Sequence, residues 1–372
     1  MVLQRCVLFT LLVSAFSCKE VNERVEPLPE MAQLHIIDST EVSEENQFFS
    51  IPSEVKLIGD SLIAVSSYLT PGVWFIDTGS GKIKHRIVDE EIMEISIFPA
   101  AIDVSKFPIV YILHPKLNKI DKFNVVTGEF LGRIELIFPE DKIIRTIESL
   151  FLAGEDQFLI ELYPSNPNNS IPEFYKSDSG IIGKFNLNGE LVSSFLQYPE
   201  ELSNLDEPLM AYKSFVIDNT RSEPIIAFPA SGEVLTLDEK NTNTSSIYNL
   251  PKSSRYFDFN LQTLPRPINP QVDKNLIQFP TSHFFESIAK NGSNLYLQSE
   301  MRDNSQLETY KASSHLFWIN LEIEKVYETT YFDPSELGIL AGASMDTLYF
   351  FEGSLKKSEK KYIKRGVLKT LD

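Results

Sequence analysis

The strongest constraint on this chain is a phrase that returns six times, a short apolar strand ending in Asp or Asn. It reads Val73-Trp74-Phe75-Ile76-Asp77, Lys119-Ile120-Asp121-Lys122-Phe123-Asn124 and Ile181-Ile182-Gly183-Lys184-Phe185-Asn186. It returns as Val234-Leu235-Thr236-Leu237-Asp238, Leu316-Phe317-Trp318-Ile319-Asn320 and Val367-Leu368-Lys369-Thr370-Leu371-Asp372. The terminal markers lie on average about 59 residues apart, a period that suits radial repetition of small sheets. Another β-rich run precedes each phrase, at residues 62–65, 109–113, 158–162, 225–228, 295–298 and 347–351. All but the last are followed by a turn and a further strand, at 83–88, 130–134, 191–195, 245–250 and 325–331. The turns include Thr127-Gly128-Glu129 and Asn188-Gly189-Glu190, whose Gly and Asn tolerate the positive φ of tight hairpins.

Strand-rich units with no long amphipathic helix predict an all-β fold, a six-bladed β-propeller. The sixth unit stops where its outermost strand should begin, and a spare strand at residues 33–38 precedes the first unit. If that N-terminal strand completes the last blade, every blade has four strands and no edge is left free. The propeller domain then covers residues 33–372. A seven- or eight-bladed ring, or a β-sandwich followed by a small second domain, are the other arrangements that the pattern allows.

The first residues read as an address. Arg5 lies in a short positive segment, and residues 6–16 form an apolar run whose helix would rise only roughly 16 Å, too short to span a bilayer. This is the pattern of a secretory signal peptide at residues 1–17. The run ends in Ala15-Phe16-Ser17-Cys18, which resembles a bacterial lipobox whose cysteine thiol receives the lipid. Lys19 and Glu20 resemble the surface-export signal of Bacteroidota lipoproteins. Residues 18–32, charged and carrying Pro27 and Pro29, read as a flexible tether. The expected location is the outer membrane or cell surface, with the membrane reached through the lipid alone. With Cys6 removed in the signal and Cys18 acylated, no cysteine remains for a disulfide or a metal.

Taken with the phrases ending Asp77-Thr78-Gly79 and Asn124-Val125-Val126-Thr127-Gly128-Glu129, Cys18-Lys19-Glu20 makes the whole chain similar to the six-bladed propeller lipoproteins of the Bacteroidota. The resemblance implies a fold and a location, and no established activity.

The formal net charge of −18 argues against a nucleic-acid partner, because phosphates would be repelled. In a propeller register the long insertions, residues 163–180, 251–282, 299–314 and 352–365, crowd one face. Long loops on a rigid scaffold are where binding usually resides. The proline-rich 251–282 segment carries Arg255, Tyr256, Phe257 and Arg266, and Tyr163 and Arg302 lie in neighbouring insertions. Aromatics and arginines on a stiff loop suit recognition of an envelope protein, peptide or glycan. No catalytic residue set is complete. Gly59-Asp60-Ser61-Leu62 spells the opening of a serine hydrolase signature, but no histidine has an aspartate three residues before it. The expectation is a non-enzymatic binding or scaffold module without a cofactor. The alternative is a hydrolase or lyase of the six-bladed lactonase-like kind, with Ca²⁺ or Mg²⁺ held on the axis by Glu148, His283 and Glu286.

Overall fold

The structure is a computed structural model and describes residues 28–44, 52–67, 70, 72–87, 101–144, 151–166, 168–176, 180–209, 215–218, 224–238, 243–268, 281–303, 311–353 and 359–371. The signal segment, Cys18, Lys19, Glu20 and Glu148 lie outside them.

The chain is all-β with a β-propeller arrangement. After β1 (Glu30–Glu41) comes a meander of β2 (Pro52–Ile58), β3 (Leu62–Ser67), β4 (Val73–Asp77) and β5 (Ile83–Ile87). The next sheet joins β6 (Ala101–Asp103), β7 (Ile109–His114), β8 (Lys119–Asn124) and β9 (Glu129–Glu135). In the third, β10 (Lys142–Ile144) and β11 (Phe151–Ala153) pair with the two ends of β12 (Gln157–Pro164), followed by β13 (Ile182–Asn186) and β14 (Leu191–Phe195). The fourth holds β15 (Val216–Asp218), β16 (Ile225–Ala227), β17 (Glu233–Asp238) and β18 (Asn243–Asn249). Last come β19 (Ser282–Asn291), β20 (Asn294–Asp303), β21 (Lys311–Asn320) and β22 (Lys325–Glu328), then β23 (Ile339–Ser344), β24 (Thr347–Glu352) and β25 (Tyr362–Thr370).

Six separate sheets are expected from the sequence, but hydrogen bonding among the described residues gives five. β1 runs antiparallel to β25 from Ala32↔Thr370 to Glu41↔Tyr362, and its first two residues also pair in parallel with β22 at Tyr327 and Glu328. That short bridge fuses the last two four-stranded meanders into one eight-stranded sheet. β1 starts at Glu30, so the last residues of the expected tether already belong to the fold, and Ala32 is buried. Two expected loops are also shorter than predicted. β20 continues to Asp303 and β21 begins at Lys311, while β25 begins at Tyr362. The charged residues there read as loop, but Arg302 pairs with Glu300 at 2.7 Å and lies over the Phe284 ring, which lets the strand continue.

The core lies between sheets. Apolar clusters join β2–β5 to β6–β9, β6–β9 to β10–β14, β10–β14 to β15–β18, and β15–β18 to β19–β22. Two more join β19–β22 to β23–β25 and the β23–β25 side back to β2–β5. A strand packed on both faces cannot alternate polar and apolar, which is why Val73, Trp74, Phe75 and Ile76 are all buried.

The recurrent Asp or Asn has a physical cause. Asp77 Oδ1 accepts the backbone N–H of Ser80 at 2.7 Å, and Asn124 Oδ1 accepts those of Val126 and Thr127. Asn186 and Asn320 do the same for Asn188, Glu190, Glu322 and Ile323. The marker is a side chain that closes the turn into the outermost strand.

One such turn also touches the preceding sheet. Gly189 has φ +82°, its carbonyl accepts the N–H of Ile137, and an added Cβ would stand 1.8 Å from Glu135 O. Gly128, at φ +71° in the equivalent turn, has open space around it. Gly128→Ala is therefore expected to cost about 1 kcal/mol and Gly189→Ala about 3 kcal/mol, measured by urea unfolding. Equal losses would refute the steric part of this account.

Candidate functional site: an axial channel

The innermost strands surround a cavity of about 610 Å³. Its walls are β2, the residues after β6, Glu161 of β12, β15, β19 and β23. Three of these strands are bulged, at Ser53, Glu286 and Ala341, where the register shifts against the neighbouring strand. A bulge turns a side chain away from the ordinary alternation. Glu54 and Glu286 line the cavity beside these bulges.

Five acidic residues, Glu54, Asp60, Glu161, Asp218 and Glu286, line the cavity together with Lys56 and Lys290. Some of them tie strands together. Glu54 Oε2 accepts the N–H of Ile102 at 2.7 Å, and its Oε1 is 3.3 Å from Lys56 Nζ. Burial pushes the Glu54 carboxyl above the usual range, opposed by Lys56 and by that N–H. Asp218 Oδ2 accepts the backbone N–H of Lys290 at 2.7 Å, linking β15 to β19. Gln298 accepts from Leu340 N and donates to Gly338 O, linking β20 to the start of β23.

The residues expected on a binding face are not gathered into one. Arg255 and Arg266 are exposed. Tyr256 and Tyr163 are buried in inter-sheet clusters, so neither offers a surface to a partner. A loop aromatic that can reach the gap between two sheets gains more by filling it than by facing water. Phe257 is half-buried under Lys252, whose Nζ lies 4.4 Å from the ring centre, and Arg302 is held by Glu300 and Phe284. Of the expected metal ligands, Glu286 faces the channel and His283 is sealed in an aromatic stack. Among the described residues no three His, Cys, Asp or Glu side chains come together as a metal site.

That stack is a second polar cluster, which the sequence reading missed. Tyr256 and Tyr331 lie parallel to the His283 ring at centroid distances of 5.1 and 5.8 Å. His283 Nδ1 is 3.2 Å from Tyr256 O, and His315 Nδ1 is 2.7 Å from Ser299 Oγ. The two imidazoles are 5.5 Å apart. Burial lowers the His283 pKa to about 4 and holds His315 well below its ordinary value. Cross-strand register brings the cluster together, since Phe285 pairs with Ser299 and Ser299 with His315. The sequence signal, two histidines on strands, is too sparse to predict it.

No protein-family model and no curated protein matches the chain in sequence. Solved structures do match in shape. One, from Bacteroides fragilis and named as an exported protein, superposes with a TM-score of 0.57 at 8% identity, covering 91% of this chain and 96% of its own. The PQQ-bound aldose sugar dehydrogenase of Streptomyces coelicolor gives 0.43 at 11% identity, covering 92% and 99%. The Cps50 β-propeller domain of Myceliophteria thermophila gives 0.39 at 7%, covering 88% and 99%. At these identities the likeness is one of fold alone, and of these three only the first is near enough to bear on it.

Proposed function

We propose that this chain is an exported, lipid-anchored propeller of six four-stranded blades that binds a small polar ligand, or the tip of an envelope peptide or glycan, in its axial channel. The blade count is supported by the six inter-sheet clusters, with the eight-stranded sheet read as two blades bridged through β1. Export is supported by the signal-like first residues and by the name of the Bacteroides fragilis protein of similar shape. The proposed anchoring is supported by the sequence Cys18-Lys19-Glu20, and the location that goes with it is the outer membrane or cell surface.

The observation that carries the binding reading is the channel itself. A cavity of about 610 Å³ is within the usual range for small-ligand sites, and its walls mix acidic residues, lysines and apolar strand. Purified protein would be screened by thermal shift and calorimetry against peptides and oligosaccharides of mixed charge. A ligand that binds the wild type is expected to lose about tenfold affinity in Glu286→Gln, equivalent to about 1.4 kcal/mol. Unchanged affinity in both Glu286→Gln and Lys56→Met would end the channel reading.

A further inference from the structure

We propose that the turn Ser254–Phe259 is a latch released by acid, held shut by the neutral side chain of His283, which touches the turn directly.

The turn is fastened to the end of the β19–β22 meander by several contacts. Its 3₁₀ turn, Arg255–Asp258, places Tyr256 flat against His283 and, at 4.9 Å, against Phe285. Tyr256 O faces His283 Nδ1, and Phe259 O accepts the backbone N–H of His283 at 2.9 Å. The Ser254 hydroxyl donates to Glu328 Oε1 and accepts the N–H of Tyr256. Asn260, just beyond, donates to Pro229 O and Ala230 O.

The contact with Tyr256 O fixes the His283 tautomer. Nδ1 carries the proton, so Nε2 is left bare, and Nε2 is buried without a partner. A second proton there would make a cation with an N–H that has no acceptor, in a site only 1% exposed. The groups around it decide the sign. The turn contributes Arg255, Tyr256 and Asp258. β20 contributes Ser299 and, opposite His283, Met301. β21 contributes His315, and β22 with its extension contributes Glu328 and Tyr331. The Arg255 guanidinium lies 5.9 Å from the Tyr331 ring and disfavours a charge on His315. Asp258 favours a charge on His283, but burial outweighs it. Glu328 acts in the opposite direction. Burial raises its pKa, so proton uptake there favours the seated turn.

For His283 the folded value lies below the ordinary one, so its contribution is full above pH 6.5 and lost as pH falls toward about 4. If a seated turn binds this proton with a pKa of about 4 and an open turn with 6.5, the ratio of seated to open falls roughly 70-fold between pH 7.5 and 4.5. Release would expose Phe285 and Phe317, which are fully buried while Tyr256 is seated.

Hydrogen exchange of the full chain tests this. After correction for intrinsic rates, the Tyr256 and Phe257 amides are expected to lose about 70-fold protection at pH 4.5 relative to 7.5, while amides of β3 and β4 keep theirs. His283→Phe keeps the stack and removes the titration, so its loss should fall below about tenfold. Glu328→Gln should leave the acid response in place. Equal protection at both pH values, or the same acid loss in His283→Phe, overturns the proposal. Nitrogen NMR of the wild-type imidazoles decides the matter if the variant does not fold. His283 must stay neutral and protonated on Nδ1 down to pH 5, and titration near 6.5 would overturn the latch.

Discussion

Deleting the chain through Glu41 is expected to remove cooperative thermal unfolding, or to lower the midpoint by on the order of 20 °C, while a chain starting at residue 29 melts like the full-length protein. The reason is the seam between β1 and β25, which runs from Ala32↔Thr370 to Glu41↔Tyr362. Each ladder hydrogen bond contributes about 1 kcal/mol, so the seam as a whole approaches the entire stability of an ordinary domain. Arg365 adds a two-pronged contact to Asp38, at 2.7 Å from Nε and 2.5 Å from a terminal nitrogen, and Lys360 reaches Glu41 at 2.7 Å. Without β1, β25 becomes an open edge. Circular dichroism melts of the two truncations decide the matter, and a shift of only a few degrees in the shorter one would mean that the ring holds without its seam.

Arg133→Met is the single substitution with the largest expected cost, about 3–5 kcal/mol. Asp121 on β8 is fully buried and takes Arg133 Nε at 2.6 Å and a terminal Arg133 nitrogen at 2.9 Å. His114 Nε2 stands 3.1 Å from Asp121 Oδ2, the oxygen that the terminal Arg133 nitrogen also reaches. Burial pushes the Asp121 carboxyl up, but the contacts with Arg133 and His114 outweigh it and hold the pKa below 3.8. The group therefore stabilises the fold above pH 3.8, and that contribution is lost as pH falls through the lower folded value. In Arg133→Met the balance reverses, because burial is no longer offset and the carboxyl gains from protonation. The gap between the two proteins should be widest near pH 7 and narrow toward pH 4, read by urea unfolding across that range. A gap that stays constant with pH would show that packing around the arginine stem, not charge, sets the cost.

The strands were legible because the turns that join them are local. Asp77, Asn124, Asn186 and Asn320 bond to amides two to four positions on, so the marker recurs wherever that turn recurs. Pairing of the two distant strands was legible from the missing outer strand beside the last phrase. The channel was only partly so. Glu54 and Glu286 could be placed near strand openings, but Glu161 and Asp218 line the cavity through register that a single strand does not reveal. The fate of Tyr256 was hidden for a related reason. Whether a loop aromatic meets solvent or enters the gap between two sheets depends on how far those sheets extend, and β19 to β21 are longer than their counterparts.

The seam also governs how the molecule comes to be made. Asp38 and Arg365 are separated by 327 positions, so the contacts that finish the ring have the highest contact order in the chain. A nascent polypeptide holds β1 without its mate until β25 has been synthesised. Closure is then a late event, and a crowded population of unfinished chains can exchange β1 between neighbours, giving domain-swapped pairs in place of sealed monomers.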